Sequence, residues 1–179
     1  MLLTDGKTPT LNPNSAHPKL KLSMDLHTVT WCSQDQGYPN HPDRFDSTLQ
    51  VISSESFAAG CHYWEVDVRD GCNWAVGATY SAIKRKGTDT ACVLGRNRIS
   101  WGLWCWSAQY LVYHDDVKTP LALSEPLHAV GVYVNFEAGV LAFYNADTMT
   151  LLYTFEEPFR KPLHPALYLA GKSLRIVQL

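Results

Sequence analysis

Hydrophobic and polar residues alternate with a period of two wherever the chain has a readable pattern, which is the signature of half-buried β-strands. Along His62–Val68, Trp64, Val66 and Val68 point one way while Glu65 and Asp67 point the other. Asn73–Tyr80 repeats the arrangement, with Trp74, Val76, Ala78 and Tyr80 on one face. Val130–Phe136 runs through Glu137-Ala138-Gly139 into Val140–Tyr144, and two β-rich runs so closely joined predict a hairpin. Leu151–Phe155 and Leu174–Leu179 add further strands. Turn signals such as Asp70-Gly71, Lys86-Gly87, Thr119-Pro120 and Glu157-Pro158 break the chain at short intervals. No stretch holds a helical period, so the pattern predicts an all-β sandwich and removes the βαβ enzyme folds.

The segment from Trp31 to Phe45 is polar, carries two prolines and has no period. It reads as a long loop, and long loops on a rigid sandwich are where binding concentrates. No repeat, low-complexity tract or linker splits the 179 residues, which suit one domain. Hydrophobic residues at 46% and charged residues at 18% describe an ordinary folded domain. A formal net charge of −2 argues against a general polyanion binder. No apolar run reaches the roughly 20 residues of a membrane helix, and no charged-then-apolar leader opens the chain, so no membrane contact or secretion is expected. The five cysteines are widely spaced without a C-x-x-C pair, and the histidines are scattered. That distribution suits neither a disulfide framework nor a zinc site, and it points to a reducing, cytoplasmic compartment.

Candidate chemistry is sparse. A G-x-S-x-G elbow and phosphate-cradling glycine loops are absent. The carboxylate pairs Asp115-Asp116 and Glu156-Glu157 join adjacent residues, which on a strand face opposite ways and make no acid–base couple. The expectation is a non-catalytic domain with no catalytic residue, metal or cofactor.

Two features invite a binding role instead. Three of the six tryptophans fall in Ser100-Trp101-Gly102-Leu103-Trp104-Cys105-Trp106, followed by Tyr110 and Tyr113. On a strand, Trp104 and Trp106 share one face and Trp101, Leu103 and Cys105 the other. With one dry face per sheet, one set belongs to the core and the other to the surface, and alternation leaves open which. An exposed aromatic pair would mark an interaction site. The second feature is Lys84-Arg85-Lys86 with Arg96 and Arg98 nearby, a solvated loop or a contact for acidic groups on a protein, with RNA phosphates as the competing reading.

Taken together, these residues resemble the PRY-SPRY domain that ends many tripartite-motif and related RING-type ubiquitin ligases, and also occurs in butyrophilins and pyrin. The PRY part is carried by Leu11–Leu20 and His41-Pro42-Asp43-Arg44-Phe45-Asp46. The SPRY part is carried by Gly60–Asp67, Trp74-Ala75-Val76-Gly77, Val134–Gly139, Phe143-Tyr144-Asn145, Leu152–Phe155 and Pro162–Ala166. The resemblance covers essentially the whole chain as one domain, with a PRY part of about residues 1–50 and a SPRY part of about 51–179. Asn12 and Asn135 stand where the family pattern has aspartate, swaps that keep shape and remove a carboxylate. Within the family, His62–Gly77 and Leu94-Gly95-Arg96-Asn97 are most similar to the Riplet-like branch, which acts on cytosolic RNA-sensing helicases.

The resemblance implies a bent antiparallel sandwich of two sheets with variable loops at one end. It implies a substrate-recognition module for a RING-type ubiquitin ligase, in innate immune or antiviral signalling, whose oligomerisation would come from coiled-coil segments outside this chain. The partner would be a protein such as an RNA-sensing helicase or a viral protein. The antibody-binding member uses a W-x-W pattern, which Trp104-Cys105-Trp106 matches, and this favours exposure of both tryptophans. Its final-turn loop also supplies contacts, whereas Leu169-Ala170-Gly171-Lys172 is shorter. The expected site combines the Trp31–Phe45 loop, the Tyr80–Arg98 connection and the aromatic stretch Trp104–His114. Its candidates are Trp104 and Trp106 as anchors, Tyr110, Tyr113 and His114 as flank, and Arg85, Arg96 and Arg98 as polar rim, with Tyr38, Arg44 and Tyr80 from the loops.

Overall fold

A computed structural model describes residues 5–179, and its described residues contain thirteen β-strands and no α-helix. The strands are β1 (Leu20–Leu22), β2 (Thr28–Trp31), β3 (Gln50–Ile52), β4 (Cys61–Asp67), β5 (Trp74–Tyr80) and β6 (Ser100–Trp106). They continue with β7 (Gln109–His114), β8 (Val117–Leu121), β9 (Ala129–Asn135), β10 (Val140–Asn145), β11 (Thr150–Glu156), β12 (Leu163–Leu169) and β13 (Ser173–Ile176). A seven-stranded sheet has the order β1-β2-β13-β4-β9-β10-β11, and a six-stranded sheet the order β3-β12-β5-β6-β7-β8. Every strand pairing in them is antiparallel. The expected all-β sandwich is therefore the fold, and the predicted hairpin is β9–β10, with Asn135 opposite Val140.

The main core lies between the sheets. Trp64, Val66, Val130, Val132, Leu141 and Phe143 face it from the seven-stranded sheet. Trp74, Val76, Trp101, Leu103, Val112 and Leu167 face it from the other, as the period of two requires. Burying each such side chain contributes about 1.5–3 kcal/mol.

The outer face of the six-stranded sheet departs from the expectation of one dry face per sheet. β5 is buried along its whole length, both faces included. Outside it lies a second, smaller core of Phe45, Ile83, Leu94 and Trp104 over Ala75 and Ala166. The cause is a run of small residues on that face. Gly77 opposes Ala166 on one side and Gly102 on the other, and Ala75 lies one row below, between Tyr168 and Trp104. The resulting depression admits the 81–99 connection: a Cβ on Gly102 would stand 3.1 Å from the Leu94 side chain, and one on Gly77 would collide with the Trp101 carbonyl.

Polar clips hold this cover down. The buried Gln50 amide donates to the Cys92 carbonyl and accepts from the Leu94 N–H, both at 2.7 Å. Ser100 Oγ accepts the Gly95 N–H at 2.7 Å. Asn97 donates to the carbonyls of Thr90 and Val93, closing a single 3₁₀ turn at Thr90–Cys92. A segment that sequence reads as a loop is thus packed and hydrogen-bonded like a third layer.

Candidate functional site

The cover stops partway across the sheet, and the site begins where it stops. On the outer face the row Tyr168–Ala75–Trp104–Leu111 runs straight across four strands. The next row out is Trp106 opposite Gln109, beside the tight β6–β7 turn. Leu94 reaches Trp104 and accepts its indole N–H on the main-chain carbonyl at 3.0 Å. Nothing comparable reaches Trp106 among the described residues.

Trp104 is 6% exposed and Trp106 is 46% exposed, although both point to the same side. The expectation of two exposed anchors is corrected for Trp104: the 81–99 cover makes the outer face dry at that row, and its indole edge has found a carbonyl. The two rings still meet, with centroids 6.5 Å apart, and Tyr168 lies against both, 4.6 Å from Trp104 and 6.2 Å from Trp106. Trp106 is therefore an exposed ring braced by the buried Trp104 and the half-buried Tyr168.

Around this aromatic cluster is an open groove of about 700 Å³. It is lined by Trp104, Leu111 and Val93, by Trp106 with Tyr168, and on the Tyr168 side, where the chain enters β3, by Ser47 and Thr48 together with Thr88. The far end is Tyr113, flanked by Arg96 and Lys118. Burial pushes the Tyr168 phenol above its ordinary value, so it meets any ligand as a neutral O–H group. Arg96 is set by its neighbours: its Nε donates to Asp116 Oδ1 at 2.8 Å, and its guanidinium carbon stands 5.6 Å from the Tyr113 ring centre. Asp115 and Asp116 form the β7–β8 turn with positive φ of 52° and 59°, a conformation Asp tolerates. The carboxylate pair thus does turn-building and orients a rim cation.

Of the sequence-predicted residues, Arg96, Trp104, Trp106 and Tyr113 line the groove. Arg98 is exposed and lines a neighbouring depression of about 480 Å³ with Lys84, Arg96 and Asn97.

The other candidates hold the framework. Arg44 is 5% exposed and donates to the carbonyls of Pro13, Ala16 and Pro39. Its guanidinium lies 4.8 Å over the ring of Tyr38, whose hydroxyl donates to the Leu20 carbonyl. Arg85 donates to the carbonyls of Ser81, Ile83 and Asp43 and covers the Phe45 ring. Burial lowers the pKa of both guanidiniums, the expected effect of removing a cation from water, with Tyr38 beside Arg44 and Asp43 beside Arg85 acting the other way. Tyr80 is buried, edge-on to Trp101, and its hydroxyl accepts the Arg160 N–H.

Tyr110 and His114 lie on the opposite side of β7 from Tyr113. Residues an odd number apart on a strand face opposite ways, so the aromatic flank is split between the two faces. The Tyr110 hydroxyl accepts the Leu127 N–H, and burial raises its pKa. His114 stacks on Trp101 at 4.7 Å, with Nε2 at 2.7 Å from Glu157 Oε1.

The groove also includes Tyr168, Leu111 and Lys118, which sequence reasoning did not single out. Leu111 and Lys118 shared the parity of Tyr113 or Trp104 and were within reach of that argument. Tyr168 was not, because it joins the cluster only through the β12–β5–β6 register.

Comparison with known proteins matches this architecture. The SPRY domain family matches residues 61–178, and the SPRY-associated domain matches residues 9–57. Tripartite motif-containing protein 14 of Mus musculus is 42% identical over 181 residues, covering 100% of this chain and 41% of that protein. E3 ubiquitin-protein ligase TRIM69 of Mus musculus is 39% identical over 158 residues, covering 88% of this chain and 31% of that protein. The chain thus spans well under half the length of these relatives. Among solved structures, the PSpry domain of TRIM65 superposes with a TM-score of 0.88 at 28% identity, over 98% of this chain and 92% of that one.

Proposed function

The chain belongs to the PRY-SPRY family, a protein-interaction module of tripartite-motif ubiquitin ligases and their relatives, and from that premise we propose that it selects a protein target for a RING domain located elsewhere in a longer protein. The target docks in the outer groove, with Trp106 as the projecting anchor. The observation that carries this reading is the contrast on one strand face: Trp106 stands 46% exposed against buried Trp104 and half-buried Tyr168. A large rigid ring held in place loses little conformational entropy on binding, which is why such residues become hot spots. The proposal keeps the innate immune or antiviral setting that the resemblance implies, in the cytoplasm, where five free thiols stay reduced.

The RNA reading loses support from the placement of the cations. Lys86 Nζ donates to the carbonyls of His41 and Arg44, and Arg85 is committed to three others. Lys84 pairs with Asp89 and Arg96 with Asp116, which leaves Arg98 as the one unpaired cation of that loop among the described residues.

Quantitative proximity labelling with the intact domain, Trp106→Ala and the control Leu151→Ala tests the proposal. Leu151 is 52% exposed on the other sheet. Targets enriched by the intact domain should be lost with Trp106→Ala and retained with Leu151→Ala, both variants melting near the parent. The reverse pattern would move the site to the seven-stranded sheet.

A further inference from the structure

Resting on that reading of the groove, we infer that its occupant is an extended peptide segment that places a carboxylate two or four residues from an apolar side chain, on the same side of the segment. The groove has two chemically distinct ends at a spacing set by the strands. Apolar surface lies at the rows of Trp104–Leu111 and Trp106–Gln109. The cations lie at the row of Tyr113, which faces Lys118 directly across β7–β8 and carries over its ring Arg96, paired through Nε with Asp116. Two and four residues of strand separate these rows, about 7 and 13 Å at the usual rise of an extended chain.

No carboxylate lines the groove among the described residues. Arg96 uses only Nε on Asp116, so its two Nη groups have no partner among the described residues, and the Asp116 and Tyr113 contacts hold them in place. A guanidinium anchored through Nε presents its Nη edge to an incoming carboxylate without first having to be ordered. Lys118 is exposed and has no ion-pair partner among the described residues. The exposed hydroxyls of Ser47 and Thr88, which also line the groove, suit the polar backbone of such a segment. Two cations at one end of a short trough do not make the continuous basic track that single-stranded nucleic acid follows.

Fluorescence polarisation with three labelled hexapeptides tests the inference. Each carries phenylalanine at one position, and four positions away, on the same side of an extended chain, stands glutamate, glutamine or lysine. The glutamate peptide should bind about five- to tenfold more tightly than the lysine peptide at about 50 mM salt, the range expected for a partly exposed charge-assisted pair. Lys118→Glu, a change at an exposed edge-strand position, should invert or abolish that preference while the melting temperature holds. Trp106→Ala should weaken all three peptides.

Equal binding of the three peptides with dependence on Trp106 overturns the charge inference and leaves the groove reading standing. Binding indifferent to Trp106→Ala sinks the groove reading itself. Absence of binding by all three overturns the inference, as does displacement of the glutamate peptide by a single-stranded RNA oligomer at lower concentration than by unlabelled peptide.

Discussion

The two faces of the six-stranded sheet are both dry over much of their area, yet they are built differently. The inner face packs against another sheet, so Trp101, Leu103 and Val76 meet partners supplied by regular strands. The outer face packs against a connection with one 3₁₀ turn, so Trp104 meets Leu94 and Ile83 held by side-chain clips. A sheet covers its partner from end to end, whereas a loop covers only as far as it reaches. The groove is the part of the outer face that this cover leaves open, and Trp106 stands at its margin.

Four substitutions would break or sharpen that contrast. Trp101→Ala should have the largest effect, because it empties the inner core and removes the partner of His114, Tyr80 and Phe159. A loss of about 3–5 kcal/mol is expected in chemical denaturation, with the whole fold lost in one transition. Leu94→Ala should cost about 2–4 kcal/mol by emptying the outer core. Hydrogen exchange would show whether the 81–99 segment opens first, and uniform loss of protection would mean the two faces behave as one core.

Arg85→Gln comes next. Taking the charged donor from the carbonyls of Ser81, Ile83 and Asp43, two of them on exposed residues, should cost about 1 kcal/mol, visible as a lower melting temperature. If Arg85 were instead a rim contact, stability would hold and only binding would fall. Trp106→Ala should change stability least, by less than about 1 kcal/mol, since nearly half the ring already faces water. Its effect belongs in partner affinity, where about 2 kcal/mol, or roughly thirtyfold, is the scale for a hot-spot ring. A large drop in melting temperature for Trp106→Ala would erase the distinction between the faces.

The alternation along Trp64–Val68, Trp74–Tyr80 and Trp101–Trp106 determined the strands, the sandwich and the inner core, because each residue's side of a strand follows from its parity alone. Parity also placed Trp104 and Trp106 together, and the full-length motifs identified the family. Which of the two tryptophans stays exposed was decided elsewhere, by where Leu94 lands and by the small residues Gly77, Gly102 and Ala75 that let it approach. The fates of Arg44, Arg85 and Lys86 were likewise set by carbonyls from distant parts of the chain, which turned charges that read as partner contacts into internal ties. Local pattern encodes the face a side chain takes. Whether that face meets water depends on a covering segment whose path is fixed only when strands far apart in sequence come together.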